Sequence, residues 1–292
     1  MRGIMRLTLI GLAVLVVGVL IAGACSPLKT FDAVLPKDSS SREIAADIPY
    51  GEGARRTLDI YAPRDMVAGK PKPVIFFVYG GSWANGTKDG YAFVGRALAA
   101  SGFVVVIADY RLVPEVHFPG FLQDCAAAFH WTVANIARYG GDPNRIVLSG
   151  HSAGAYNAAM LALDPQWLGA DRAAVKGFVG LAGPYDFLPF EGPIPVKTFG
   201  QWPRPDETQP IHYASASAPP MLLLHGSKDD TVWPKNSINL DRRLRELGAQ
   251  SELKVYEGTG HVGIVTALAK PFRGNAPSLA DVTAFAHRVA GE

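Results

Sequence analysis

Ser152 stands between two glycines in Gly150-His151-Ser152-Ala153-Gly154. A serine hydroxyl is a weak nucleophile at neutral pH and attacks only when a neighbouring base takes its proton. The glycines matter because a serine lifted out of a tight turn adopts a sparsely populated backbone conformation, and flanking side chains would collide with it. The spacing therefore points to nucleophilic catalysis, which needs a base and an orienting acid from elsewhere in the chain.

Seven histidines compete for the part of the base. His261 closes Glu257-Gly258-Thr259-Gly260-His261, a flexible loop after the last predicted strand. His117, His130, His212 and His287 fall in or before helices or inside an irregular stretch, where packing or surface roles suit them. His151 lies within the serine turn but faces away from its neighbour by chain direction. His225 ends a strand and suits a structural hydrogen bond. The acid must orient the imidazole and balance its charge. It falls in His225-Gly226-Ser227-Lys228-Asp229-Asp230-Thr231-Val232, where spacing alone leaves Asp229 and Asp230 open. A carbonyl turning tetrahedral also needs prepositioned N–H donors, and losing one raises the barrier by about 3 kcal/mol. The Ala153 amide is one donor, and Tyr79-Gly80-Gly81-Ser82-Trp83, directly after an apolar run, is placed to supply others.

These groups need a rigid frame. Predicted strands at 74–78, 103–108, 145–149, 175–181, 221–224 and 252–256 alternate with helical patterns at 91–100, 121–138, 155–163, 236–247 and 278–289. That alternation predicts an α/β fold, a mostly parallel central sheet with helices on both faces. Ligands bind such sheets beyond the carboxyl ends of the strands, where all three catalytic motifs fall. Residues 57–61 alternate and run into Pro63, as an edge strand would. The stretch 187–220 is long, irregular and proline-rich, and reads as a short insertion over the active site. Trp83, Phe187 and Trp202 are the candidate substrate-binding side chains.

The 292 residues suffice for one large domain, and 48% of them are apolar. Arg2 and Arg6 account for the formal charge of +2, and without them 26 basic side chains face 26 acidic ones. No Lys/Arg cluster remains to track phosphates, which argues against nucleic-acid binding. The two arginines precede an uncharged run, Leu7 to Ala24, and then Cys25. Residues 1–24 thus read as a secretory signal. Ala22-Gly23-Ala24-Cys25 resembles a bacterial lipobox, with Cys25 as the lipidated residue, and an uncleaved anchor helix is the other reading. Residues 25–45 read as a polar tether and 46–292 as the folded domain, exported and held at the bacterial cell envelope. Cys125 then has no disulfide partner and reads as a buried, inert thiol. No Cys/His spacing suggests a metal site, the chemistry asks for no cofactor, and the sequence sets no oligomeric state.

Six ordered motifs carry a family likeness. They are Gly80-Gly81-Ser82-Trp83, Asp109-Tyr110-Arg111-Leu112, Gly150-His151-Ser152-Ala153-Gly154, Ala182-Gly183-Pro184-Tyr185-Asp186, His225-Gly226 with Asp229, and Gly260-His261. Over roughly residues 45–290 the chain resembles the esterase/lipase α/β-hydrolases. It is most similar to the bacterial feruloyl-esterase-like and hormone-sensitive-lipase-like carboxylesterases, with kynurenine formamidases nearby. The resemblance implies Ser152 as nucleophile, Asp229 as acid, His261 as base, and Gly81, Ser82 and Ala153 as oxyanion donors. It implies a serine carboxylesterase acting on small or short-chain esters through an acyl-enzyme. The alternatives are an amidase or arylformamidase, and a hydrolase-fold protein that only binds. The family usually starts its oxyanion motif with histidine. Here Tyr79 stands in that place, where it would brace the loop by hydrogen bonding or packing.

Overall fold

The structure, a computed structural model, describes residues 27–292. The predicted signal segment 1–24 and Cys25 lie outside them. A short helix, α1 (Pro27–Val34), leads into β1 (Ser41–Pro49) and β2 (Thr57–Pro63). Strand and helix then alternate through β3 (Lys72–Val78), α2 (Ala92–Ala100), β4 (Val104–Ala108), α3 (Gly120–Asn135), β5 (Gly141–His151), α4 (Ala153–Leu163) and β6 (Val175–Leu181). After α5 (Pro193–Phe199) come β7 (Met221–Gly226), α6 (Lys235–Glu246), β8 (Ser251–Tyr256), α7 (Gly263–Thr266) and α8 (Ser278–Val289).

The strands form one eight-stranded sheet in the order β1-β2-β4-β3-β5-β6-β7-β8. β2 runs antiparallel to β1 and β4, and every other neighbouring pair is parallel. Val74, Ile75, Phe76 and Phe77 are all fully buried, which is why β3 reads as an unbroken apolar run rather than an alternating one. The path from β3 to β4 crosses the sheet one way, and the path from β4 to β5 crosses it the other way. With right-handed crossovers, α2 and α3 must then cover opposite faces. α2 packs with α8 and α3 packs with α4, so the predicted two-sided cover is present. Loops leaving the adjacent carboxyl ends of β3 and β5 diverge, and the space between them is where such a sheet holds a ligand.

Two expectations need correction. Much of the stretch assigned to a tether, 25–45, is built into the domain. α1 packs Phe31 against Phe93 and Phe272, with ring centroids 5.5 and 5.6 Å away. β1 pairs with β2, so the strand at 57–63 is not the sheet's edge. Arg96 of α2 donates to the Ser41 hydroxyl and carbonyl at 2.9 and 2.8 Å, while Arg273 pairs with Asp38 at 2.6 Å. β1 escaped notice because an edge strand packs one face only, and Ser-Arg-Glu-Ile-Ala-Ala-Asp-Ile-Pro lacks a clean apolar alternation. The insertion at 187–220 carries α5 and short 3-10 turns over the carboxyl edge.

Candidate active site

Ser152 follows β5 directly, with φ 55° and ψ −125°, a conformation that costs about 1–3 kcal/mol for a residue other than glycine. The fold holds it there. The Ser152 N–H donates to the Leu181 carbonyl at 2.9 Å, and a Cβ on Gly154 would lie 2.0 Å from the Val78 carbonyl oxygen. Only glycine lets α4 start this close to β3. The strain turns the Ser152 hydroxyl toward His261, whose Nε2 lies 2.8 Å from Oγ. His261 Nδ1 lies 2.7 Å from Asp229 Oδ2. Three residues separated by up to 109 positions thus meet in one hydrogen-bonded chain.

Of the two adjacent aspartates, Asp229 and not Asp230 meets His261. The Asp230 side chain is exposed, whereas Asp229 is buried and accepts from the amides of Thr231 and Val232 at 3.0 and 2.8 Å. Burial by itself would raise the Asp229 carboxyl. Hydrogen bonds from His225 and His261 outweigh it and hold the group well below the ordinary carboxylate range. It therefore stays ionised beside the imidazole. His225 has the structural part expected of it. Its Nε2–H donates to the Val232 carbonyl at 2.7 Å and its Nδ1 accepts from Ser237 at 2.7 Å, which ties the acid loop to α6. The Lys228 amide donates to the Thr259 carbonyl at 3.0 Å and sets the acid loop against the loop of His261.

His151 is the residue whose part went unread. Its side chain is buried and ties two catalytic loops together. Because the His261 carbonyl can only accept, His151 Nε2 carries the hydrogen in their 3.1 Å contact. Nδ1 must then accept, and the Tyr91 hydroxyl donates to it at 2.9 Å. The Tyr91 oxygen in turn accepts the Gly80 N–H at 3.2 Å. Burial, reinforced by the neighbouring His261, pushes the His151 imidazole down to about 3, so it is neutral near neutral pH.

The glycine loop after β3 lies opposite the serine. Gly81, Ser82 and Trp83 have φ of 141°, 55° and 56°, which turns successive amides out of any regular pattern. The amides of Gly81, Ser82 and Ala153 have no protein acceptor among the described residues. Tyr79 braces this loop, as expected of a residue in that place. Its hydroxyl accepts from Arg55 Nη2 at 2.6 Å, its ring stacks on Tyr110 with centroids 4.7 Å apart, and the same Arg55 nitrogen lies 3.8 Å from Asp109. Arg55 also donates to the Gly86 carbonyl at 2.7 Å, and the Lys88 amide donates to Asp109 at 2.8 Å. Buried Lys88 pairs with buried Asp59 of β2 at 2.9 Å.

A cavity of about 470 Å³ opens over Ser152 and Ala153. Trp83 and Phe187 line it, joined by Pro184, Ile194, Val232 and Trp233. Trp202 does not. It packs against Phe118, centroids 5.0 Å apart, and donates to Glu207 at 3.1 Å, so it holds the insertion together. Trp233 was missed because it follows a polar acid loop rather than sitting in the insertion. A large aromatic four residues past Asp229 was the available signal.

The BD-FAE family pattern matches residues 58–244, from β2 through most of α6. The chain belongs to that family. The match takes in the glycine loop, the serine turn and the acid of this BD-FAE protein, while His261 lies beyond it. Among curated relatives, the chain is 34% identical over 237 residues to Esterase LipC of Mycobacterium tuberculosis, covering 73% of this chain and 58% of that one. It is 31% identical over 266 residues to the probable isoprenylcysteine alpha-carbonyl methylesterase ICME of Oryza sativa subsp. japonica, covering 82% and 63%. The chain thus spans about six tenths of the length of these relatives. Two solved structures share the fold. Esterase B from Lactobacillus rhamnosis aligns with TM-score 0.80 at 19% identity, over 94% of this chain and 96% of that one. A truncated carbohydrate esterase from gut microbiota aligns with TM-score 0.76 at 21% identity, over 88% and 100%.

Proposed function

We propose that this BD-FAE protein hydrolyses carboxylic esters through an acyl-serine intermediate. The observation that carries the reading is the hydrogen-bonded chain from Ser152 through His261 to buried Asp229, facing three amides that have no protein acceptor among the described residues. His261 Nε2 takes the Ser152 proton as Oγ bonds to the ester carbonyl carbon. The amides of Gly81, Ser82 and Ala153 hold the oxyanion. As the intermediate collapses, His261 protonates the departing alcohol and the acyl group stays on Ser152. Water, deprotonated by His261, then repeats the attack and frees the acid. Ionised Asp229 stabilises the imidazolium in both halves. The cavity volume suits acyl groups of small to moderate size. Esterase names among the relatives support the reaction class.

The domain is also proposed to be exported and held at the cell envelope by its N-terminal segment, on the strength of Arg2, Arg6, the run Leu7 to Ala24 and Cys25. A fatty-acid probe is expected to label the chain and to lose that label in Cys25→Ala. Retained label would refute lipidation.

The decisive assay compares the chain with Ser152→Ala on p-nitrophenyl butyrate and N-formylkynurenine. Ester turnover is expected to fall about 10⁴-fold or more, because the hydroxyl and base act as a unit. Equal rates in the two proteins would remove Ser152 from the reaction. Faster turnover of the formamide would make the chain an arylformamidase.

A further inference from the structure

Among the described residues, eight large apolar side chains are exposed, and two of them, Trp233 and Ile194, line the mouth of the active site, with Val196 and Val262 close to it in the chain. Trp233 is 55% exposed, Ile194 47%, Val196 52% and Val262 51%. Trp233 and Ile194 both line the cavity, one from the acid loop and one from α5. Val196 shares α5 with Ile194, and Val262 follows His261 in the chain. These side chains are held out rather than loosely hung. Phe199 at the end of α5 is fully buried against Trp83 and Tyr156, with centroids 4.8 and 5.3 Å away, so the helix is seated from beneath. Exposed Lys197 on α5 and Lys235 beside Trp233 have no carboxylate partner among the described residues, and Lys235 Nζ sits 5.0 Å over the Trp233 ring.

The chain also enters the domain at this end. α2 starts just past the glycine loop, so its first turn lies at the carboxyl edge of the sheet. Asp32 of α1 accepts the Phe93 amide there at 2.6 Å, and Phe31 stacks on Phe272, which follows the His261 loop and α7. The apolar run Leu7 to Ala24 therefore precedes a segment docked at the catalytic end.

We infer that the collar of Ile194, Val196 and Trp233 docks on a lipid surface, so that the active site takes amphiphilic esters partitioned into that surface. An apolar patch with Lys197 and Lys235 beside it, and exposed Glu191 also on the rim, suits the boundary between headgroups and acyl chains, where rings and aliphatic side chains lose water while ammonium groups meet phosphates. The cavity still limits the acyl group, while the collar decides where the ester is met. This inference rests on the proposed esterase reading only for the identity of the substrate.

The docking step is tested without catalysis. The full chain carrying Ser152→Ala is mixed with phosphatidylcholine vesicles whose acyl chains are brominated, and tryptophan quenching is read. The first tryptophan in the sequence is Trp83, so the N-terminal segment gives no signal. Quenching is expected, and most of it should vanish in Ser152→Ala/Trp233→Phe. Quenching that survives this change, or none at all, would overturn the docking. So would a Trp233-dependent dimer without quenching, in favour of a second copy as the occupant. A catalytic arm uses Val196→Glu, which lies outside the cavity. It should slow hydrolysis of p-nitrophenyl octanoate carried in the vesicles by at least about fivefold and leave soluble p-nitrophenyl acetate within about twofold. Equal loss on both esters would count against the collar. Failure of the parent on both esters would refute the esterase reading, while the quenching result would still decide the docking.

Discussion

His151 and His225 each sit beside a catalytic group, and both are buried and doubly hydrogen-bonded. What separates them is which loops they join. His225 stays within the acid's own surroundings, whereas His151 spans from the oxyanion loop to the backbone of His261. His151→Gln is expected to lower kcat by about tenfold with less change in KM, since it loosens positioning rather than binding. Its pH signature follows from the depressed imidazole. The unfolded chain accepts a proton near pH 6.5 and the folded one only near 3, so stability drains away as pH falls through that window and is fully present above it. Urea midpoints measured from pH 7 to 4 should therefore fall more steeply in the parent than in His151→Gln, and parallel curves would refute this. Asp229→Asn should cut kcat by about 10⁴-fold, as it leaves the imidazolium without its counter-charge. Asp230→Asn should change it less than about twofold. The sequence identified the serine and the base on chain pattern, but two adjacent aspartates differ only in which one the fold buries.

The glycine loop is an element whose shape is imposed from outside. Its backbone is made of conformations that non-glycine residues seldom adopt, and no regular hydrogen-bond ladder supports it. The support is a polar brace in which Arg55 joins Tyr79 and Asp109, Asp109 accepts the Lys88 amide, and the ion pair of Lys88 with Asp59 closes it. Tyr79→Phe keeps the stacking on Tyr110 but leaves Arg55 short of a hydrogen-bond partner, a loss of about 1–3 kcal/mol. We expect a lower Tm and a kcat reduced about tenfold, checked by calorimetry and steady-state kinetics. Trp202→Ala, by contrast, should leave KM for small esters unchanged within about twofold while lowering Tm, because Trp202 binds the insertion to Phe118 and Glu207 and not the substrate. Both readings needed coordinates. Arg55 and Asp109 are far from Tyr79 in the chain, and an aromatic in a long irregular stretch reads the same whether it faces a cavity or a neighbour.

At the scale of the molecule, the sheet brings loops from β3, β5, β7 and β8 to one edge, and the insertion roofs that edge with α5. The other limit of the sheet is closed by β1, which the sequence pattern missed. A chain starting at residue 51 loses β1, the clamp of Arg96 on Ser41 and the pair of Arg273 with Asp38, and leaves β2 with an open ladder. It is expected to aggregate and to lose most of its activity, whereas a chain starting at residue 27 should fold and turn over soluble esters normally. Size-exclusion chromatography with the butyrate assay distinguishes the two, and a monomeric, active chain from residue 51 would refute the structural part given to β1.

Local chemistry determined much of this protein by itself. Glycines around Ser152, the apolar runs of the parallel strands and the loop positions of the histidine and acid follow from sterics and from burial on both faces of a sheet, and those leave marks at fixed short spacings. Tertiary structure alone decided the bridge through His151, the partners of the Tyr79 brace, the aromatic lining by Trp233 in place of Trp202, and the strand at Ser41–Pro49. Each of these depends on contacts between residues distant in the chain, where burial and partner, rather than residue type, set the outcome.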